Sequence, residues 1–222
     1  MPDALEQLRE SYSRIAREYA DHFGDELSHK PLDRALLDTV LGERPSGSTV
    51  ADVGCGPGHV TRYLHDRGAP CVGVDVSPGM IEVARENNPG IDFVEGSLTD
   101  LPVADGSWGA IVALYSIIHL PPNARGIAFS ELARALAPGG LLFVSFHVGD
   151  AVIHREELLG RPVTLDFHML NTADVVALCE RAGLTVQVTL ERRPHLAIEA
   201  PTTRGYVLAG KESTIVTTMA PE

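Results

Sequence analysis

Between residues 50 and 58 the chain reads Val-Ala-Asp-Val-Gly-Cys-Gly-Pro-Gly, an apolar run followed by glycines at 54, 56 and 58. A bend this tight needs positive φ and lets a ligand approach the backbone closely. The spacing is GxGxG, whereas the dinucleotide fingerprint needs its third glycine where His59 stands, which counts against a nicotinamide cofactor. Pro57 removes one N–H from the cradle and Asp52 sets a carboxylate beneath it. Both suit a zwitterionic, sulfonium-bearing ligand better than a pyrophosphate. Asp75, 17 residues beyond Gly58, stands near the spacing at which a carboxylate receives both ribose hydroxyls. The competing reading makes the bend a plain turn and Asp75 a helix cap; together, the two features predict a nucleoside-type ligand.

Proton transfer, if the reaction needs it, falls first to histidine. Of nine histidines, His119 and His147 follow apolar runs that read as strands, and His168 lies in a segment able to cover an acceptor. His119 could instead pin the Pro121-Pro122 turn, and His147 could face solvent.

The elements that must position these groups are legible from periodicity. Leu5, Leu8, Tyr12, Ile15, Tyr19 and Phe23 recur every three or four residues, a helix stripe ending near Gly24. A second helix starts at Pro31, carries Leu32, Ala35, Leu36 and Val40, and stops at Gly42. From Thr49 short apolar runs alternate with helical stretches, which is βαβα order. Strands are expected at 49–53, 71–75, 91–95, 108–116 and 141–147, with helices near 58–67, 78–87 and 123–137. Runs without in/out alternation imply a sheet covered on both faces. Residues 148–170 show no strong period and read as a polar insert. A helix over 172–182 and two closing runs, TVQVTLERR and RGYVLAG, suit an antiparallel pair at the sheet's edge.

Composition narrows the class. A chain of 222 residues with 44 % hydrophobic and 22 % charged residues reads as one globular domain. Its net charge of -12 argues against nucleic acid as a partner. Cys55, Cys71 and Cys179 lack disulfide or zinc spacing, and no run approaches a membrane span, so a cytoplasmic protein without metal is expected.

Five ordered blocks carry a resemblance: VADVGCGPG, GVDVSPGMIEVAR, EGSLTDLP, ALYSIIHL and LARALAPGGLLFVSF. They are similar to the successive motifs of class I S-adenosylmethionine-dependent methyltransferases, and SYSRIAREYA resembles that family's lid helix. The resemblance implies a three-layer, doubly wound, Rossmann-like α/β fold with a seven-stranded sheet of order 3-2-1-4-5-7-6, strand seven antiparallel. Residues 1–45 would form a helical lid, 46–212 the core and 213–222 a loose tail. It also implies S-adenosylmethionine as cofactor, S-adenosylhomocysteine as product, and a small-molecule acceptor.

Residue by residue, the resemblance puts Asp52, Gly54, Cys55 and Gly56 at the methionine moiety, Asp75 with Val76 at the ribose, and Met80 on the adenine. Ser97 stands where many relatives have Asp, so the adenine contact falls to its hydroxyl and to the Leu98 N–H. Tyr115 marks where the methionine amine and the acceptor meet. Tyr19 matches the lid tyrosine, and Tyr12 shares its helix face. His119 and His147 are the candidate catalytic groups, with Tyr12 and His168 toward the acceptor. Two other readings are a noncatalytic protein that binds the same nucleoside and a nicotinamide-dinucleotide oxidoreductase.

Overall fold

Two helices, α1 (Ala4–Phe23) and α2 (Pro31–Glu43), precede an alternation of strands and helices: β1 (Val50–Val53), α3 (His59–His65), β2 (Cys71–Asp75), α4 (Pro78–Asn87), β3 (Asp92–Glu95), β4 (Trp108–Leu114), α5 (Pro122–Ala135) and β5 (Leu136–His147). A hairpin, β6 (Val152–Leu158) and β7 (Arg161–His168), then leads to α6 (Thr172–Arg181), β8 (Leu184–Arg192) and β9 (Arg204–Lys211). The structure is a computed structural model that describes residues 4–195 and 199–213. The tail expected after residue 213 lies outside the described residues.

Seven strands form one sheet in the order β3-β2-β1-β4-β5-β9-β8. The first five pair in parallel, and β9 runs antiparallel to both its neighbours. With the hairpin set aside, this is the expected 3-2-1-4-5-7-6 order. The unbroken apolar runs have their physical cause here. Ala51, Val53, Ile111 and Ala113 pack against α5 and α6, while Val50, Ala110 and Val112 pack against α2 and α3. Ser77 caps α4 by accepting from the Met80 N–H, with Pro78 at the first helical position. Among the described residues no helix is long and apolar enough to cross a membrane.

Four local expectations are corrected. The supposed insert at 148–170 contains the hairpin, turned by Leu159 (φ +53°) and Gly160 (φ +74°), a two-residue turn matched to strand twist. Its signal was the alternation of Val163, Leu165 and Phe167. The fourth strand stops at Leu114 rather than 116, because Tyr115 turns into the left-handed region at φ +54°. The fifth strand begins at Leu136, paired with Trp108 ahead of a bulge. On α2 the inward row is Asp33, Leu37 and Val40, while Ala35 is exposed. Asp33 is buried because the Tyr206 hydroxyl and Arg192 both donate to it at 3.1 Å.

The hairpin matters for function because it closes α1 down. Thr164 N–H donates to Ser11 Oγ at 2.9 Å, and Ile15, Val163, Leu165 and Met80 share one apolar cluster. Ser13 and Ser77 hydroxyls meet at 2.9 Å, which fixes α1 to α4. The lid is thereby held over the C-terminal ends of β1, β2 and β4, where ligands of open α/β sheets bind.

Candidate active site

A cavity of about 450 Å³ opens at those strand ends, within the range that encloses a small organic molecule. Gly54 leaves β1 at φ +81°, and a Cβ there would stand 2.2 Å from the Cβ of Ser116. Only glycine fits that bend. Ser116 in turn donates to the Val53 carbonyl at 2.9 Å, so the end of β4 braces the glycine turn.

Asp75 organises the turn from the neighbouring strand. Its Oδ2 accepts from the Gly56 N–H and its Oδ1 from the Ser77 N–H, each at 2.8 Å. The helix-cap alternative fails, since Ser77 holds that place. Each Asp75 oxygen keeps a free lone pair, enough to receive two further donors. Burial raises the Asp75 pKa, and the backbone bonds oppose it. Asp52, 1 % exposed, accepts from Thr61 Oγ1 at 2.7 Å, and burial pushes its pKa up to about 6. A nearby cation would hold such a carboxylate ionised. Cys55 is walled in beside it, its thiol pKa raised by burial, so it fills space rather than acting as a nucleophile.

The lid side carries aromatic groups. A Cβ on Gly56 would lie 3.9 Å from Tyr19 Cε1, so the Tyr19 ring sits over the glycine turn. Tyr12 meets Tyr19 edge to face at 5.9 Å. Met80, Val76, Ser97 and Leu98 line the same cavity. The Ser97 hydroxyl is engaged by the N–H and hydroxyl of Thr99 at 3.2 and 2.9 Å.

Sequence reasoning missed a charged floor. Lys30 is 7 % exposed and donates to Glu26 Oε2 at 2.7 Å. His59 donates to the other Glu26 oxygen at 3.1 Å. Burial pushes Glu26 up, but His59 and Lys30 outweigh it and hold it at about 2. Glu199 receives two N–H bonds of 2.7 Å from Arg192 and stands 3.8 Å from Arg204 Nε. Lys30 and Arg204 flank the Tyr115 ring at 5.5 and 5.8 Å from its centre. Tyr115 and Arg204 line the cavity, and the Tyr115 hydroxyl and Arg204 Nε are buried behind its wall without a hydrogen-bond partner. No local signal could have found this cluster, whose members are drawn from both ends of the chain and meet only in the fold.

Both candidate catalytic histidines reach the cavity. His119 Nδ1 faces the Asp166 carbonyl at 2.9 Å and Nε2 meets the Tyr12 hydroxyl at 2.7 Å. Burial pushes its pKa down to about 4, so the ring is neutral near pH 7. His147 Nδ1 meets Thr202 Oγ1 at 2.8 Å. That hydroxyl also accepts from Arg204 and has both a hydrogen to give and a second lone pair, so it can serve either tautomer of His147. Burial first, then the charges of Arg204 and Lys30, hold His147 at about 4. His147 is therefore a neutral imidazole near pH 7. His168 does not line the cavity: Phe167 and Met169 do, and strand alternation carries His168 to the opposite face of β7. Every other residue expected at the site lines this cavity.

Comparison with known proteins agrees with this geometry. A family model described as a methyltransferase domain matches residues 50–140. A demethylmenaquinone methyltransferase of Beutenbergia cavernae is 36 % identical over 137 residues, 60 % of this chain and 55 % of that protein. An uncharacterized methyltransferase of Synechocystis sp. is 30 % identical over 174 residues, covering 73 % of this chain and 76 % of the relative. The chain belongs to the class I S-adenosylmethionine-dependent methyltransferases. It spans about half the length of several curated relatives it matches. Among solved structures, the 1,6-didemethyltoxoflavin-N1-methyltransferase of Burkholderia thailandensis superposes with a TM-score of 0.71 at 21 % identity, covering 96 % of this chain and 92 % of that one. That likeness is one of fold; the Burkholderia structure holds bound 1,6-didemethyltoxoflavin and S-adenosylhomocysteine.

Membership in this methyltransferase family makes S-adenosylmethionine the cofactor, and the residues present fit it. The Gly54 cradle that a Cβ would fill and the two open lone pairs of Asp75 lie along one cavity.

Proposed function

We propose that this protein methylates an oxygen or nitrogen of a small, largely apolar acceptor held between α1 and the β6–β7 hairpin. The observation that carries the reading is the continuity of one cavity, from the Gly54 turn and Asp75 to a wall of Leu5, Leu8, Ile153, Leu158, Phe167 and Met169. When bound, S-adenosylmethionine supplies a sulfonium methyl group open to in-line displacement. The chain's own residues supply position, the main requirement of such a transfer.

Asp75 receives the ribose hydroxyls on its free lone pairs, and Met80 packs on the adenine, with Ser97 and the Leu98 N–H at the base edge. Gly54, Cys55 and Gly56 make room for the amino-acid end, and Asp52 balances its positive charge. Tyr115 borders that end of the cavity, and Lys30 receives the carboxylate. Tyr19 closes over the turn and keeps water out. A relative named for demethylmenaquinone and a neighbour holding 1,6-didemethyltoxoflavin support a non-polymeric acceptor. The excess of acidic over basic residues supports it too, since a polyanion would be repelled.

Calorimetric titration with S-adenosylhomocysteine tests the cofactor half of this reading. Saturable binding at a single site is expected, abolished or strongly weakened in Asp75→Ala. The acceptor half is tested by a structure of the loaded protein: residual space bounded by the hairpin and α1 is expected, and a filled or solvent-open face there would refute it.

A further inference from the structure

We infer that Tyr12 and His119 form a proton-accepting pair in the acceptor pocket, and that the acceptor is a flat aromatic hydroxyl compound methylated on oxygen. This rests on the methyl-transfer reading above and chooses between the two atoms it leaves open.

Three groups from two elements converge on His119: Tyr12 from α1 at Nε2, 2.7 Å; the Asp166 carbonyl of β7 at Nδ1, 2.9 Å; and the Phe167 ring of β7 edge-on at 4.8 Å. A carbonyl can only accept, so Nδ1 carries the hydrogen of the neutral ring. Nε2 is then an acceptor, and Tyr12 must be its donor. The Tyr12 oxygen is left with free lone pairs and no hydrogen to give, so a ligand group that meets it has to be a donor. A hydroxyl is such a group, and it needs a proton taker as its oxygen is alkylated. A neutral amine needs only alignment. Burial raises the Tyr12 pKa well above the usual phenol range, so Tyr12 passes a proton along rather than resting as an anion. A buried imidazole is a weak base, matched to a phenol better than to an aliphatic alcohol. Tyr12, Phe167, Leu8 and Met169 offer that ring an apolar wall.

The step balances as follows. The acceptor oxygen forms its bond to the methyl carbon while the methyl–sulfur bond breaks and leaves its electron pair on sulfur. The acceptor's proton passes to Tyr12 Oη as Tyr12's own proton moves to His119 Nε2. The positive charge lost from sulfur appears on the imidazolium, which releases its proton to water. Tyr12 is the catalytic residue in contact with the acceptor, and His119 is the terminal proton acceptor. The pair exists only while the lid helix is docked, so closure and base assembly are one event.

The test uses the full chain with 1-naphthol, 1-naphthylamine and 1-methoxynaphthalene. With the protein saturated in S-adenosylhomocysteine, 1-naphthol should bind on the order of tenfold tighter than its methyl ether, a difference lost in Tyr12→Phe. With S-adenosylmethionine, Tyr12→Phe and His119→Asn should each lower naphthol methylation by on the order of 10²-fold while leaving S-adenosylhomocysteine affinity in place. Equal binding of naphthol and ether, absent naphthol binding, or preferential methylation of the amine would overturn the pair's role while leaving methyl transfer intact. Absence of S-adenosylhomocysteine binding would instead sink the cofactor reading beneath it.

Discussion

Replacing Asp75 separates the hydrogen-bonding role of this carboxylate from its bulk. In the wild type each oxygen takes one backbone N–H at 2.8 Å and keeps one lone pair toward the cavity. Asparagine preserves the shape but must turn its NH2 toward either the Gly56 or the Ser77 N–H, donor against donor. It can then receive one ribose hydroxyl at most. Loss of a hydrogen bond to a charged acceptor costs about 1.5–3 kcal/mol, which corresponds to roughly 10- to 150-fold in Kd. The effect on folding should be smaller. The variant loses the bond to one of the two backbone donors, but it also sheds a buried charge whose pKa burial has already raised. Calorimetry with S-adenosylhomocysteine and thermal unfolding on the same samples measure the two quantities. Asp75→Asn should bind at least tenfold more weakly, with a fall in Tm of only a few degrees. An affinity within about threefold of wild type, alongside a large drop in Tm, would show that Asp75 is structural and that the ribose is held elsewhere.

Asp52, lifted to about 6 by burial, should couple cofactor binding to proton release. A cation beside it favours the ionised form, so calorimetry in buffers of different ionisation heat should show about half a proton released at its midpoint and little well above it. Asp52→Asn should abolish the buffer dependence. Because this pKa is raised in the folded state, Asp52's contribution to stability is full below its ordinary value of 3.8 and is lost as pH rises through about 6. Denaturant melts of the free protein should show that loss relative to Asp52→Asn. Gly54→Ala should combine about 1–2 kcal/mol of left-handed backbone strain with about 1–3 kcal/mol of overpacking against Ser116; a variant with unchanged melting and binding would refute the cradle. Glu199→Gln leaves Arg192 and Arg204 without their shared anion, and chemical denaturation should show a loss of about 3–5 kcal/mol.

Much of this molecule is readable in one dimension because its causes are local. The glycine spacing at 54, 56 and 58, the Ser77-Pro78 helix start and the apolar runs at 50–53 and 71–75 act over a few residues, within the reach of backbone sterics and period. Strand order followed from the resemblance, and the two closing runs were placed correctly at the edge. The amino acids alone therefore specify the strands, the glycine bend and the acidic groups around it, while their order in the sheet is what the resemblance implies. They do not specify which side chains meet across the cavity. Tyr12 and His119 are 107 positions apart, and Asp33 reaches Tyr206 across 173. Lys30 and Arg192 look like ordinary surface cations until burial sets each against acidic neighbours that replace water. His168 is the converse, a plausible ligand in the chain that the two-residue repeat of β7 turns away. The hairpin decides where Tyr12 and His119 meet: it packs α1 onto the strand ends, and its Asp166 carbonyl fixes which His119 nitrogen carries the hydrogen.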